Sequence, residues 1–275
     1  MNNGSLVSYA AYLRSAERSK ATQEKYLRSV RCFLRWLGGR ELTKEAAANY
    51  KSILAEHVEP STVNGSISAL NGFFRMLGRE DCRLKFLRVQ RRMFRDTERE
   101  LTQPEYERLV EASARLGRGR TALLLETICG TGVRVSEVRY LTVEAVKAGQ
   151  AEIRMKGKIR TILFPGKLRQ KLLQYARKNK IASGEIFLTR SGQSLSRHQI
   201  WADLKALCKT AGVSPTKVFP HNLRHLFART HYRVHRDVAA LAAVLGHSSI
   251  ETTRIYLLTT GAEHVRQLDR LRLVS

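Results

Sequence analysis

The sequence lacks the marks of a membrane-spanning, secreted or disulfide-linked protein. No run of apolar residues approaches the roughly 18–20 that a membrane span needs, and the N-terminus has no charged segment followed by an apolar core, so we expect no signal peptide. The four cysteines are widely scattered and form no Cys-x-x-Cys pair, which argues against a disulfide framework. These absences predict a cytoplasmic protein with reduced, buried thiols, and an apolar content of 43% is typical of a globular chain.

Acidic residues are also scarce. There are 24 Asp and Glu against 49 Lys and Arg, which gives a formal net charge of +25. The surplus is spread along the chain, because the first 95 residues carry 18 basic and 8 acidic residues and the remainder carries 31 and 16. Neutralising phosphates releases condensed counterions, so this surplus favours a nucleic acid partner for both halves. The alternative is a ribosomal or merely basic surface.

Strand patterns are absent from residues 1–90, where apolar residues recur at helical spacing. Helices are predicted from Thr22, over residues 43–57 and from Pro60, whereas residues 1–20 show only a short amphipathic turn. This part is therefore predicted to be a small bundle of four or so helices.

Residues 91–100 lack this periodicity and have a high density of charged residues, which is typical of an exposed linker between domains. Such a basic linker either follows a phosphate backbone or is simply a solvated face.

Residues 101–275 begin with helix-start chemistry, since Thr102 can cap a helix and Glu105 follows three positions later. Residues 121–129 are apolar nearly all round and predict a buried central helix. Residues 151–164 are the one convincing β region, so this part is predicted to be mainly helical with a small antiparallel sheet. Further helical patterns cover residues 167–177, 198–210, 221–233, 237–245, 249–258 and 262–271.

Two clusters of charged residues could handle a phosphate. Arg134 follows a glycine-containing break between two apolar helices; it either pairs with Glu137, one helical turn away, or clamps a phosphate that Glu137 helps to hold in place. His221 and Arg224 lie three residues apart in the first turn of a helix, where a phosphate is attracted. His221 and His225 also have a spacing that metal ligands use, but no His-Glu-x-x-His or Cys-x-x-Cys motif supplies the rest of a zinc site, so we expect no metal.

The third cluster ends in a tyrosine. His247 follows a glycine at a helix end, where a histidine is often only a cap, and Tyr256 alone would be an ordinary core or surface residue. Attack by a tyrosine on a phosphodiester needs fixed cations, a base such as histidine, and a proton donor for the leaving 5′-oxygen. Lys156 and Lys158, at a predicted β-turn, are both available as that donor. A phosphotyrosine conserves the ester bond, so strands could be rejoined without ATP or metal.

These residues resemble the motifs of the tyrosine recombinase (integrase) family, most closely its two-domain, Xer-type members. The matching segments are residues 131–137 for the first arginine box, 155–158 for the β-hairpin lysine, 221–225 for the His-x-x-Arg box, and 245–249 with Tyr256 for the third box. Alignment with the family's Gly-Lys-Gly turn favours Lys156 over Lys158. Asn222 stands where the family often has Asp, which we expect to change a local hydrogen bond rather than activity.

The resemblance implies a role for each residue. Tyr256 would attack the scissile phosphate and become linked to its 3′ side. Arg134 and Arg224 would hold that phosphate, with His247 hydrogen-bonded to it and Glu137 supporting the site.

Two further residues would move protons. Lys156 would protonate the 5′-hydroxyl that leaves, and His221 would act as base or acid for the tyrosine proton. The implied activity is site-specific DNA recombination through a 3′-phosphotyrosyl intermediate and a Holliday junction, with no cofactor. Integration, excision, inversion and dimer resolution all remain open.

The resemblance also implies a two-domain, C-shaped clamp around DNA. Residues 1–90 would be a helical core-binding (SAM-like) domain, residues 91–100 the basic linker, and residues 101–275 the catalytic domain. Members of the family bind double-stranded DNA with an inverted-repeat core site as a homotetramer on two duplexes, and each subunit passes its C-terminal helix to a neighbour. A partner recombinase or accessory protein stays open. An apolar stripe that suits such an exchange, or else an ordinary intramolecular helix, is formed by Val265, Leu268, Leu271 and Leu273.

Two other functions are compatible with these residues. One is a type IB topoisomerase, which relaxes DNA as a monomer, but the C-terminal stripe and the Xer-like boxes argue against it. The other is a DNA-binding protein that has kept the fold and lost catalysis. The presence of all six expected catalytic residue types argues against that alternative.

Overall fold

The structure is a computed structural model that describes residues 3–89, 98–155, 158–247, 249–256, 265–266 and 268–271. The chain divides into two compact units, Met1–Arg91 and Arg92–Ser275. The described residues are mainly helical with one small antiparallel sheet, which confirms the predicted fold class. None of the helices in these ranges combines the length and the apolar character that a membrane span requires.

The first unit is a helical bundle. Its α-helices are α1 (Asn3–Ser15), α2 (Lys20–Leu37), α3 (Lys44–His57) and α4 (Pro60–Met76). The sequence predicted all of these except α1, for which it indicated only a short turn. Tyr9 and Leu13 of α1 are buried in the core, and the Tyr9 hydroxyl donates a hydrogen bond of 2.7 Å to the carbonyl of Ala69 on α4. We infer that α1 is stabilised by its packing against the bundle and not by a strong helical pattern in its own sequence.

The first half of the second unit contains α5 (Gln103–Arg115), α6 (Gly119–Thr131), a 3₁₀ helix (Val135–Tyr140) and α7 (Val143–Ala148). The predicted capping box opens α5, because the Thr102 amide donates to Glu105 Oε2 at 2.8 Å and the Glu105 amide to Thr102 Oγ1 at 3.4 Å. The second of the two helices predicted on either side of the glycine-containing break is the short 3₁₀ helix, and Arg134 is its N-cap. The chain leaves α6 at Gly132 with φ of 63°, and the Glu137 carboxylate accepts the Arg134 amide, which fixes this tight start.

The predicted hairpin is present as β1 (Gln150–Met155) and β2 (Lys158–Leu163). The turn at residues 156–157 lies outside the described residues. Arg160 pairs with Ile153, and both side chains lie on the inward face of the hairpin. Ile159 and Leu163 alternate with them and are 66% and 68% exposed. The inward face of β2 thus carries an arginine where an apolar residue is the rule.

The remaining elements are α8 (Gly166–Lys178), α9 (Arg197–Lys205), α10 (Cys208–Ala211), a 3₁₀ helix (Pro215–Lys217), α11 (Pro220–His235), α12 (Val238–Leu245), α13 (Ile250–Thr253) and a 3₁₀ helix (Arg254–Tyr256). The single helix predicted over 198–210 is two helices, because the backbone tightens to an i→i+3 bond at the Leu207 amide. The helix predicted over 249–258 is the short α13 followed by a 3₁₀ turn. Of the helix predicted over 262–271, the structure describes residues 265–266 and 268–271, of which 265–266 and 268–269 are helical.

Two apolar clusters organise the second unit. The larger packs α5 to α11 and the inward face of the hairpin around α6. The smaller consists of Ala228, Leu241, Leu245 and Tyr256. This smaller cluster lies where α11, α12 and the last 3₁₀ turn meet, and it places Tyr256 beside the two upstream motifs.

Candidate active site

Three arginine side chains from three different elements meet at the C-terminal end of α12. Each donates a hydrogen bond to one of three consecutive carbonyl groups there. The pairs are Arg160 Nη2 with Val244 at 2.9 Å, Arg224 Nη2 with Leu245 at 2.7 Å, and Arg134 Nη2 with Gly246 at 3.5 Å. Terminal helix carbonyls have no partner within the helix, and the helix dipole makes this end negative, so it attracts cations. The end of α12 therefore gathers the arginines of the site.

Glu137 lies between two of these arginines and is buried. Its Oε1 accepts from Arg134 Nη1 at 2.9 Å, and its Oε2 pairs with Arg160 Nη1 at 2.5 Å. Burial alone would raise the pKa of the Glu137 carboxyl, but the Arg134 amide and the two guanidinium groups outweigh it and hold that pKa below its ordinary value. Glu137 is therefore ionised at neutral pH and offsets part of the positive charge.

Arg224 is buried in the first turns of α11 and joins two motifs. Its Nη1 donates to the carbonyl of Gly132, beside Arg134, while its Nη2 reaches both Leu245 and the Nε2 atom of His247, the latter at 3.1 Å. Burial, together with the nearby positive charges, lowers the pKa of Arg224 to about 10. The side chain still carries its charge at neutral pH.

His247 is neutral and its proton can be assigned. Because a guanidinium only donates, the His247 Nε2 atom that faces Arg224 must accept, and the proton lies on Nδ1, which is 2.9 Å from Thr253 Oγ1. Burial and the charges of Arg224, Arg134 and Arg160 lower the pKa of His247 to about 4. Thr253 is fully buried, so this pair fixes the orientation of the imidazole ring.

Tyr256 is buried between two histidine rings. The His225 ring meets it edge-on, with centroids 4.8 Å apart at 90°, and the His247 ring lies nearly parallel to it at 6.1 Å. The tyrosine is thus held next to the imidazole that contacts Arg224.

His221 lies one helical turn before His225, and their ring centroids are 4.4 Å apart. Although His221 is exposed on one side, the surrounding protein and the charges of Arg224 and Arg134 lower its pKa. A neutral imidazole in this position can accept a proton.

The structure therefore brings together most of the residues predicted from the sequence. Those that meet around the end of α12 and the start of α11 are Arg134, Glu137, His221, Arg224, His247 and Tyr256. Lys156 lies outside the described residues, and its role stays a prediction. Within the described part of the chain, no three His, Cys, Asp or Glu side chains lie close enough together to hold a metal ion.

Asn222, the departure from the family pattern, makes two hydrogen bonds, neither of them to a predicted site residue. Its amide nitrogen donates to the carbonyls of Arg99 at 2.6 Å and Lys217 at 2.8 Å. An ionised aspartate has no proton for either bond, so the asparagine changes local hydrogen bonding at the start of this unit.

Sequence reasoning missed three residues of the site. The sequence predicts only that Arg160 belongs to a strand. Once the register is known, its position opposite Ile153 on the inward face indicates that it belongs to the site. Thr253 carries no motif of its own. His225 lies within the His-x-x-Arg box but no role is predicted for it, although its spacing of four residues from His221 places it on the same face of α11.

Gly246 is required where α12 meets Arg160. The residue has φ of 61°, and a Cβ atom there would overlap Arg160 Cδ and lie 2.9 Å from its Nε. We expect Gly246→Ala to lower the free energy of unfolding by about 2–4 kcal/mol, from backbone strain plus overpacking. Gly212 is the matched control, with φ of 62° and open space around its Cβ position. Gly212→Ala should lose only the backbone contribution of about 1–2 kcal/mol, and equal losses in urea unfolding would contradict this account.

The neutral histidines make the fold sensitive to acid. Burial and the charges of His221, Arg229 and Arg224 lower the pKa of His225 to about 3, and the pKa of His247 is about 4, against an ordinary value of 6.5. Between pH 6.5 and about 4 the unfolded chain binds protons that the folded chain does not. The free energy of unfolding therefore keeps its full value above pH 6.5 and decreases as the pH falls through this window.

The measurement is the urea midpoint of the full chain at pH 7 and pH 5. His225→Phe keeps a ring in place without a titrating group, so its midpoint should fall less between the two pH values than that of the wild type. His57→Phe, at an exposed position on α3, is the matched control and should keep the wild-type dependence. An unchanged pH dependence in His225→Phe would refute the assignment.

Comparison with known proteins identifies the family. Residues 99–262 match the Phage integrase family, and residues 6–83 match the phage integrase N-terminal SAM-like domain. Tyrosine recombinase XerA of Thermococcus kodakarensis is 30% identical over 284 residues, which cover 99% of this chain and 97% of that protein.

Two solved structures share the fold. XerH site-specific recombinase bound to difH substrate aligns with a TM-score of 0.71 at 19% identity, over 97% of this chain and 84% of that chain. A dimer of lambda integrase(75-356) bound to a COC′ core site aligns with a TM-score of 0.74 at 17% identity, over 94% and 96%. With the family match over more than half of its length, the chain belongs to the phage integrase family and is a tyrosine-type site-specific recombinase.

Proposed function

We propose that this recombinase cleaves and rejoins double-stranded DNA through a covalent bond between Tyr256 and a 3′-phosphate. The observation that carries the proposal is the packing of the Tyr256 ring beside His247, whose Nε2 lies 3.1 Å from Arg224. A nucleophile and a fixed cation are thus neighbours. The net charge of +25 favours a polyanionic substrate, and the XerH and lambda integrase structures are bound to a difH substrate and a COC′ core site.

Arg134 and Arg224 would bind the non-bridging oxygens of the scissile phosphate. Both guanidinium groups are held by carbonyl groups of the protein itself, so little reorganisation is needed when charge develops. The side chain of Arg134 is 38% exposed, which leaves part of its donor edge open to a ligand.

His247 would donate a hydrogen bond to the same phosphate. A phosphate oxygen only accepts, so the His247 proton would have to lie on Nε2 rather than on Nδ1. The Thr253 hydroxyl makes this exchange possible, since it can accept from Nδ1–H in one tautomer and donate to a bare Nδ1 in the other. Thr253 thus serves both tautomers of the imidazole.

The proposed chemical step is a transesterification. A bond forms between the Tyr256 oxygen and phosphorus as the bond from phosphorus to the 5′-oxygen breaks. His221, whose pKa is lowered, takes the tyrosine proton, and Lys156 gives a proton to the leaving 5′-oxygen. Attack by a 5′-hydroxyl from a second duplex reverses the step and forms a Holliday junction. The ester is conserved throughout, so neither ATP nor a metal ion is required.

The assembly belongs to the same proposal. Residues 1–90 would bind the core site, 91–100 would form the basic linker and 101–275 would carry out catalysis, in a homotetramer on two DNA duplexes. Helix exchange between subunits is supported by the exposure of apolar side chains beyond Tyr256, namely Val265 at 56%, Leu268 at 53% and Leu271 at 57%. The cytoplasmic location stays a prediction.

The test uses nicked duplexes taken from the DNA that flanks the gene of this protein, incubated without ATP and with a metal chelator. A protein–DNA adduct that survives denaturing electrophoresis is the expected result, and binding should weaken steeply with salt. Tight, salt-sensitive binding without any adduct, on every flanking duplex, would contradict the proposal. Exchange of strands between two supercoiled substrates, as opposed to relaxation of one, separates a recombinase from a topoisomerase.

A further inference from the structure

Arg160 is a buried arginine in the site that no motif accounts for. Its side chain is 8% exposed, and it spans two elements: Nη1 pairs with Glu137 at 2.5 Å and Nη2 donates to the Val244 carbonyl at 2.9 Å. It lies on β2, four residues after Lys156. Arg160 therefore connects the hairpin, the first arginine box and the end of α12.

Stability alone does not explain this side chain. The Arg160 Nε atom is buried and has no hydrogen-bond partner among the described residues, which is costly for a donor. The close approach of the side chain also requires a glycine at position 246, as shown above. A buried ion pair can often be replaced by apolar residues without loss of stability, so a role in the reaction is the better explanation.

The charges around Glu137 suggest what that role is. The guanidinium of Arg160 pairs with one carboxylate oxygen, which also accepts the Arg134 amide, and the guanidinium of Arg134 pairs with the other. Without Arg160, the buried carboxylate would have Arg134 as its nearest cation. A carboxylate binds one guanidinium with both oxygens when it can, so Arg134 would be drawn inward and away from the exposed edge at which a phosphate would bind.

We propose that Arg160 is a positioning residue, which keeps Glu137 and the end of α12 in place so that Arg134 and Arg224 remain directed at the scissile phosphate. Arg160 itself does not touch the substrate. The inference rests on the proposed function, since it concerns the rate of Tyr256 attack. A displacement of the order of 1 Å in a positioning contact can lower a rate about 100-fold.

The experiment compares single-turnover adduct formation on a nicked duplex at saturating protein, with DNA affinity measured in parallel. Arg160→Met should lower the rate about 100-fold and leave affinity within about threefold of the wild type. Arg154→Met is the matched control, because Arg154 lies on β1 of the same hairpin, is exposed and pairs with exposed Glu152. It should cleave at the wild-type rate.

The decisive variant combines Arg160→Met with Glu137→Gln. A neutral glutamine cannot draw Arg134 inward by charge, so the double variant should cleave at least about tenfold faster than Arg160→Met. All rates are compared at a temperature where every variant is folded, so a residue that only stabilised the core would leave Arg160→Met at the wild-type rate with nothing to recover. A wild-type rate in Arg160→Met, or a double variant no faster than it, would overturn the inference.

Two further outcomes remain distinguishable. If Arg160→Met does not fold, Arg160→Lys replaces it: an ammonium can pair with Glu137 but cannot also hold Val244, so cleavage should fall about tenfold at unchanged affinity, and a wild-type rate would refute the inference. If the wild type itself forms no adduct, the proposed function fails instead.

Discussion

Replacing Tyr256 with phenylalanine is expected to abolish the covalent protein–DNA adduct and to leave folding and DNA binding at the wild-type level. The substitution removes one oxygen atom and keeps the ring that packs between His225 and His247. Removal of a catalytic nucleophile costs at least about 10⁴-fold in rate. The adduct should therefore fall below detection, because the rate of attack on phosphorus is lost while the basic DNA-binding surface is unchanged.

The control for this experiment comes from the same apolar cluster. Tyr232 on α11 packs against it, and Tyr232→Phe removes a hydroxyl from a neighbouring ring. That variant should form the adduct at the wild-type rate on the same nicked duplex, without ATP or metal. An adduct that persists in Tyr256→Phe would mean that another residue is the nucleophile, whereas loss in both variants would point to a packing effect.

Much of the fold was predictable because local signals agree with it. Three elements form where a local sequence pattern predicts them. They are the capping box of Thr102 and Glu105, the nearly all-apolar helix α6, and the hairpin with its alternating residues. The motif order likewise predicted which side chains would meet. Arg134 and Arg224 meet because both reach the end of α12. The contact of Arg134 with Gly246 joins residues 112 positions apart, which spacing alone does not predict.

The face of β2 that turns inward could not be read from the sequence. Residues 159–163 carry apolar side chains on both faces, so alternation does not decide between them. The structure buries Arg160 and exposes Ile159 and Leu163 because the buried carboxylate of Glu137 needs a second cation. That requirement arises from tertiary packing, which is why Arg160 was missed.

Short elements were the other source of error. The 3₁₀ helix after Arg134 is held by the pair of Glu137 with Arg160, and the one that ends at Tyr256 by packing against α11 and α12. Thr253 shows the same effect: its position matters only because His247, six residues earlier, folds back onto it.

Arg224 is the position where substitution should cost the most besides Tyr256. Its guanidinium group bonds the carbonyls of Gly132 and Leu245 and the Nε2 atom of His247 at once. A lysine has three donors but they radiate from one nitrogen atom, so it cannot span partners that lie at opposite ends of a planar fork. Arg224→Lys should therefore lower the rate of adduct formation on the order of 10²–10³-fold, even though the charge is kept.

Loss of stability accompanies this loss of activity and must be separated from it. One buried carbonyl is left without a donor in Arg224→Lys, which should lower the free energy of unfolding by about 1–3 kcal/mol. Leu172→Ala on α8 is a useful comparison, because it removes a fully buried side chain from a helix that carries none of the three arginines and costs about 2–5 kcal/mol. Arg115→Lys makes the same substitution of lysine for arginine at an exposed position on α5, so it is the control for that substitution.

The three variants then distinguish geometry from charge and from stability. If fixed geometry of the guanidinium drives cleavage, Leu172→Ala and Arg115→Lys keep the wild-type rate under conditions where all variants are folded, and only Arg224→Lys is slow. A rate in Arg224→Lys within tenfold of the wild type would show that a positive charge suffices. In that case the convergence of three arginines on the end of α12 would serve folding, and the positioning role of Arg160 would lose its basis as well.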